Sequence, residues 1–91
     1  MCENVLNKSF ETAINIVNNL TNKPSNEELL DIYSFYKQAK FGNNNTDEPN
    51  NIFSIKNKKK WVAWNNLQGM DSNDAKQKYI DLSLILYKKY T

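Results

Sequence analysis

Residues 24 to 42, PSNEELLDIYSFYKQAKFG, restrict the possible folds more than any other stretch, because they mark a helix at both ends. Ser25 and Glu28, three residues apart, have the spacing of a capping box, and Pro24 is placed to pack on Leu29 as a hydrophobic staple. Gly42 supplies the left-handed residue that ends the element. Between these marks, from about 26 to 41, Leu29, Leu30, Ile32, Tyr33, Tyr36 and Ala39 form an apolar stripe at helical spacing.

The same period recurs elsewhere. Leu6, Phe10, Ala13, Ile14, Val17 and Leu20 predict a first helix from Asn4 to Leu20, closed by Asn22, Lys23 and Pro24. The polar run NNNTDEPNN, 43 to 51, reads as a loop with no hidden element. Asn57 is placed to cap a third helix carrying Trp61, Val62, Trp64 and Leu67 and finishing near Gly69. Asp71, helped by Asp74, caps a fourth, with Ala75, Tyr79, Ile80, Leu82, Leu86, Tyr87 and Tyr90 as a wide apolar face. With no alternating strand pattern, the fold class is an all-α bundle. The 91 residues, 40% hydrophobic, suffice for one domain spanning 1–91 with one modest core.

Several function classes fall away. Cys2 is the single cysteine and there is no histidine, so neither a disulfide framework nor a metal cluster is expected, and the commonest neutral-pH base is missing. No carboxylate pair or Gly-rich phosphate loop suggests catalysis; the expectation is a binding protein, not an enzyme. No apolar run reaches membrane-spanning length and no signal-peptide pattern opens the chain, so a soluble, cytoplasmic monomer is expected. Twelve lysines face ten acidic residues for a net charge of +2, which is no whole-molecule nucleic-acid footprint.

Some residues admit two readings. Tyr33, Tyr36 and Lys37 fall on one side of the second helix at spacings of three and four. They are either core aromatics with a snorkelling lysine, or two rings and a cation suited to a planar anionic ligand. The run from Lys56 to Lys60 places lysines in the first turn of the third helix, against the positive end of its dipole. It is either a solvated basic edge or a phosphate site. Trp61 and Trp64 read as that helix's anchor in the core; a single-stranded nucleic acid gripped by the lysines and tryptophans is the alternative from another class.

Residues 24 to 42, with KKKWVAWNNLQG at 58 to 69 and AKQKYI at 75 to 80, resemble the acyl-CoA-binding protein family over nearly the whole chain. The resemblance implies an up-down-down-up four-helix bundle holding long-chain acyl-CoA, with no catalysis and no cofactor, and with acyl-CoA-using enzymes as possible partners. By matched position, Tyr33 and Lys37 would meet the phosphates, chiefly the 3′-phosphate, and Lys60 and Lys56 would add basic contacts. Ser34 falls within the same motif and is carried over as a ligand-side residue. Tyr36 would line the adenine and acyl region and Tyr79 would pack beside the adenine. Phe10, Ala13 and Ile14 would form the wall from the first helix.

Four departures stand out. Asn18 takes the place of a lysine found in many members, and Lys40, one turn after Tyr36, stands where the motif has a small residue and is placed to restore that charge. The loop before Trp61 is one residue longer than usual and reads Pro49-Asn50-Asn51, so Lys56 is placed by counting back from Trp61. Val62 replaces the usual acidic residue after the tryptophan.

Overall fold

The computed structural model describes residues 3–49 and 54–90; Cys2, Asn50 and Asn51 lie outside them. Its elements are α1 (Glu3–Asn18), α2 (Asn26–Phe41), α3 (Ile55–Asn65) and α4 (Ser72–Tyr90), with no strand among the described residues.

The ends of α2 follow the sequence. The Glu28 amide donates to Ser25 Oγ at 3.2 Å, and the Ser25 amide donates back to Glu28 Oε1 at 2.9 Å, which completes the capping box. At the other end the Gly42 amide donates to the Gln38 carbonyl at 3.0 Å. Gly42 has φ 74° but ψ −147°, outside the left-handed helical well. That conformation is open essentially to glycine alone. Asp71 also caps as read, its Oδ2 accepting from the Asn73 amide at 3.0 Å.

Three boundaries differ from the sequence reading. α1 stops at Asn18, two residues early: the Asn19 amide and side chain both donate to the Asn15 carbonyl, at 3.1 and 2.7 Å, and the Leu20 amide turns to the Val17 carbonyl in a tighter i to i+3 bond. α3 starts at Ile55 after Ser54, so Asn57 lies inside its first turn and is not the cap residue; Ser54 makes no side-chain cap bond. α3 also ends at Asn65, and tighter i to i+3 bonds carry the chain from Trp64 to Met70. On α4, Tyr87 is 52% exposed, so the apolar face is narrower than its sequence stripe.

Cross-helix contacts fix the directions. Lys76 donates to Asn7 at 2.7 Å near both helix starts, and Thr21 donates to the Tyr90 carbonyl at 2.9 Å near both ends, so α1 and α4 are parallel. Glu28 at the start of α2 meets Lys89 and Tyr90 at the end of α4, whereas Gln38 near the end of α2 donates to the Met70 carbonyl before α4. α2 is therefore antiparallel to α4. Lys60 lies over Tyr33 and Trp64 donates to Gly42, so α3 runs parallel to α2. The order is up-down-down-up.

Among the described residues α4 packs on both α1 and α2, while α3 packs on α2 alone. The core under α4 is Phe10, Ala13, Ile32, Ala39, Ala75, Tyr79 and Leu86. Two parallel neighbours require a long crossover, and side chains tie it down. Trp64 Nε1 donates to the Gly42 carbonyl at 2.9 Å and Trp61 Nε1 to the Thr46 carbonyl at 3.0 Å. Gln68 donates to the Asn44 carbonyl at 2.7 Å.

Glu28 joins the α2 cap to the end of α4, and its environment has a consequence for pH. The Tyr90 hydroxyl, the Ser25 amide and Lys89 Nζ at 2.9 Å all donate to it, holding its carboxyl at about 2 instead of 4.5. Between those values the unfolded chain binds the proton that the folded chain refuses, so stability falls as pH drops from 4.5 toward about 2. Glu28→Gln removes the titration. Thermal melts across this range should show wild type more stable at neutral pH and the gap closing on acidification; a constant gap would contradict the assignment.

Candidate functional site

α2 lies between α4 and α3, and its polar aromatic residues divide between them. A helix turns about 100° per residue, so Tyr36 and Lys37 diverge on either side of Tyr33. The single face expected for all three is therefore two faces.

On the α4 side, the Tyr36 ring lies 6.2 Å from Phe10 and 6.4 Å from Tyr79, with Phe10 and Tyr79 edge-to-face at 5.1 Å. Phe10, Ala13 and Tyr79 are buried, whereas Tyr36 and Ile14 are half-buried. Burial, and then the neighbouring Tyr36, push the Tyr79 hydroxyl up to about 12. Tyr36 and Ile14 thus carry the accessible surface of this group.

On the α3 side a second cluster forms around cations. Lys37 Nζ stands 5.7 Å from the Tyr33 ring centroid, 4.8 Å from Phe41 and 5.4 Å from Trp64. Lys60 Nζ, from α3, lies 5.3 Å from the same Tyr33 ring. Ring faces attract ammonium groups but do not neutralise them. Neither lysine makes an ion pair among the described residues, where the pairs are Lys58 with Glu48 at 3.4 Å and Lys89 with Glu28 at 2.9 Å. A pocket of about 270 Å³ opens here, lined by Tyr33, Thr46, Asp47, Pro49, Asn57, Lys60, Trp61 and Trp64.

Between α2 and α3 runs a larger groove of about 780 Å³. Leu30, Phe35, Ile55, Val62, Ala63 and Leu67 give it apolar surface, and Glu27, Asp31, Lys58 and Lys59 also line it. Ser34 also lines it, but is buried with its hydroxyl donated to the Asp31 carbonyl at 2.9 Å. Val62 lines the groove and is 40% exposed, and nothing in the structure explains why it replaces an acidic residue.

The structure thus brings Tyr33, Lys37 and Lys60 together and groups Phe10, Ala13 and Ile14 near Tyr36 and Tyr79. Lys56, in the first turn of α3, Lys40, in the last turn of α2, and Asn18, at the end of α1, are all exposed and lie outside both clusters. Trp61 is half-buried, pinned to the crossover, while Trp64 is 7% exposed; only the second is the core anchor expected of both. The sequence reading passed over Phe41, although its place four residues after Lys37 puts it in that lysine's row. It also passed over Gln38, a fully buried polar residue. Among the described residues no group of His, Cys, Asp or Glu is placed to hold a metal ion, and no helix is long and apolar enough to cross a membrane.

Comparison with known proteins decides the family. Residues 7–83 match the family described as Acyl CoA binding protein. The chain belongs to the acyl-CoA-binding protein family. The Acyl-CoA-binding protein of Saccharomyces cerevisiae is 42% identical over 87 residues, covering 96% of this chain and 99% of that protein. The crystal structure of Oryza sativa Acyl-CoA-Binding Protein 2 superposes with a TM-score of 0.86 at 33% identity, covering 92% of this chain and 90% of the rice chain. The solution structure of the yeast Acyl Coenzyme A Binding Protein gives 0.72 at 46% identity, covering 89% and 93%. The up-down-down-up bundle is the fold of this family of binding proteins, as the resemblance implied.

Proposed function

We propose that this chain binds long-chain acyl-CoA esters one to one, and buffers and carries them without cleaving the thioester. The observation that carries the reading is the pair of ammonium groups, Lys37 and Lys60, held around one tyrosine ring beside an apolar groove. A CoA ester is anionic at one end and apolar at the other, and both needs are met along the same helix pair. The lysines and the Tyr33 hydroxyl take the phosphates, chiefly the 3′-phosphate, through charge-assisted hydrogen bonds. Lys40 and Lys56 add charge from the flanking turns. Tyr36, beside Tyr79, offers its ring to the purine.

The groove takes the acyl chain, and its volume lies in the range of about 300–1,000 Å³ usual for ligand pockets. Burying a long chain at about 0.8 kcal/mol per methylene offers on the order of 10 kcal/mol before ordering costs. The chain therefore supplies much of the affinity and the phosphates set identity. With no histidine in the sequence, the commonest base for attack on the ester is missing. In this reading the carrier works as a cytoplasmic monomer and exchanges ligand with acyl-CoA-using enzymes.

The nucleic-acid alternative has no support in these relatives and loses one of its two stacking rings, since Trp64 is buried. Thermal melts test the choice. Long-chain acyl-CoA at about a hundred times its dissociation constant should raise the melting temperature by on the order of 10 °C. The free fatty acid should give a far smaller shift and single-stranded DNA none. A shift with DNA and none with acyl-CoA would reverse the assignment.

A further inference from the structure

Phe41 is 65% exposed, the most exposed of the large apolar side chains in the described residues, so burial does not explain a phenyl ring there. Its contacts do. It is the last residue of α2, and its ring centroid lies 4.8 Å from Lys37 Nζ and 6.4 Å from the Trp64 ring. Spacing of four residues puts Tyr33, Lys37 and Phe41 in one row, so the lysine has an aromatic ring one turn before it and another one turn after it. Trp64 supplies the third ring from α3.

We infer that Phe41 is a positioning residue that fixes the Lys37 ammonium toward the ligand's phosphate and so sharpens selection for the phosphorylated ligand. Lysine side chains have many rotamers, and ordering one on binding costs free energy. Three rings around the ammonium restrict it beforehand without pairing its charge, which a carboxylate would do. Of the three, Phe41 is the ring whose role can be isolated. Tyr33 also carries Lys60, and Trp64 is buried with its N–H on the Gly42 carbonyl. Phe41 has little burial to lose, and its ring is not among those near Lys60.

The inference rests on the acyl-CoA reading, and its test separates the two. In the unliganded protein, ring currents from Phe41 should shift the Lys37 ε-methylene protons, as seen by nuclear magnetic resonance. Phe41→Leu should move them toward ordinary lysine values, and Phe41→Tyr should leave them in place. Calorimetry should then show Phe41→Leu weakening long-chain acyl-CoA binding by about two- to fivefold, the scale of an exposed cation–π contact. The loss should be smaller for the 3′-dephospho ligand, and Phe41→Tyr should bind like wild type. An unchanged Lys37 shift in Phe41→Leu, or an equal loss for both ligands, overturns the inference. If wild type binds no acyl-CoA, the functional reading fails, while the Lys37 shift still decides whether Phe41 holds the ammonium.

Discussion

Lys37→Ala is expected to weaken binding of long-chain acyl-CoA by about 1.5–3 kcal/mol, the scale of a hydrogen bond to a charged group. Unliganded stability should fall by no more than about 1 kcal/mol, because what the folded chain loses is an ammonium resting on aromatic faces. The separation follows from the geometry. Lys37 is half-buried and has no ion pair among the described residues, so its removal orphans no charge. A bound phosphate, by contrast, loses a charged donor and keeps only Lys60 and the Tyr33 hydroxyl from this cluster. Calorimetry and thermal melts on the same variant check both halves. Equal dissociation constants for variant and wild type would return Lys37 to a solvated helix face.

Trp64→Ala should act in the opposite order, destabilising the unliganded chain by about 3–5 kcal/mol. The indole is 7% exposed and its N–H holds the Gly42 carbonyl at 2.9 Å, so truncation opens a cavity and releases the start of the crossover together. α3 suffers most, since among the described residues it packs on no helix but α2. The ring also stands 5.4 Å from Lys37, so affinity should fall in whatever fraction remains folded. Trp64→Phe keeps an aromatic ring but removes the donor, and should recover more than half of the stability. Denaturant unfolding of both variants reads the difference. A melting temperature for Trp64→Ala within a degree or two of wild type would mean that this residue does not anchor α3.

What the sequence made legible was local. The box of Ser25 and Glu28, the Asp71 cap and the Gly42 stop depend on residues within four positions of one another, and the structure has all three. The start of α3 was less determined. Ser54 and Asn57 are both capping types, and nothing in Ile55 or Lys56 breaks a helix, so residue type alone could not place the first turn. Trp61 was misread because its partner is a carbonyl fifteen residues away, which no helical period reports.

The site divides in the same way. Lys37 and Tyr33 are one turn apart and so meet on any helix, whereas Lys60 reaches Tyr33 because α3 lies parallel to α2. That juxtaposition came from family resemblance and was not readable from spacing. Gln38 was invisible to an apolar-stripe reading: its amide hydrogens go to Asn43, five residues on, and to Met70, thirty-two residues on, while its Oε1 is buried with no partner among the described residues.

The binding mode stands or falls on whether the ammonium of Lys37 and the 3′-phosphate are partners. Four calorimetric titrations form the measurement: wild type and Lys37→Ala, each with long-chain acyl-CoA and with its 3′-dephospho form. If the two groups pair, loss of the 3′-phosphate already removes the Lys37 contact along with those of Lys60 and Tyr33, so Lys37→Ala should cost the 3′-dephospho ligand little beyond what that ligand has already lost. If the two losses simply add, Lys37 does not meet that phosphate, and the role given to the cluster of Tyr33, Lys37 and Lys60 is wrong.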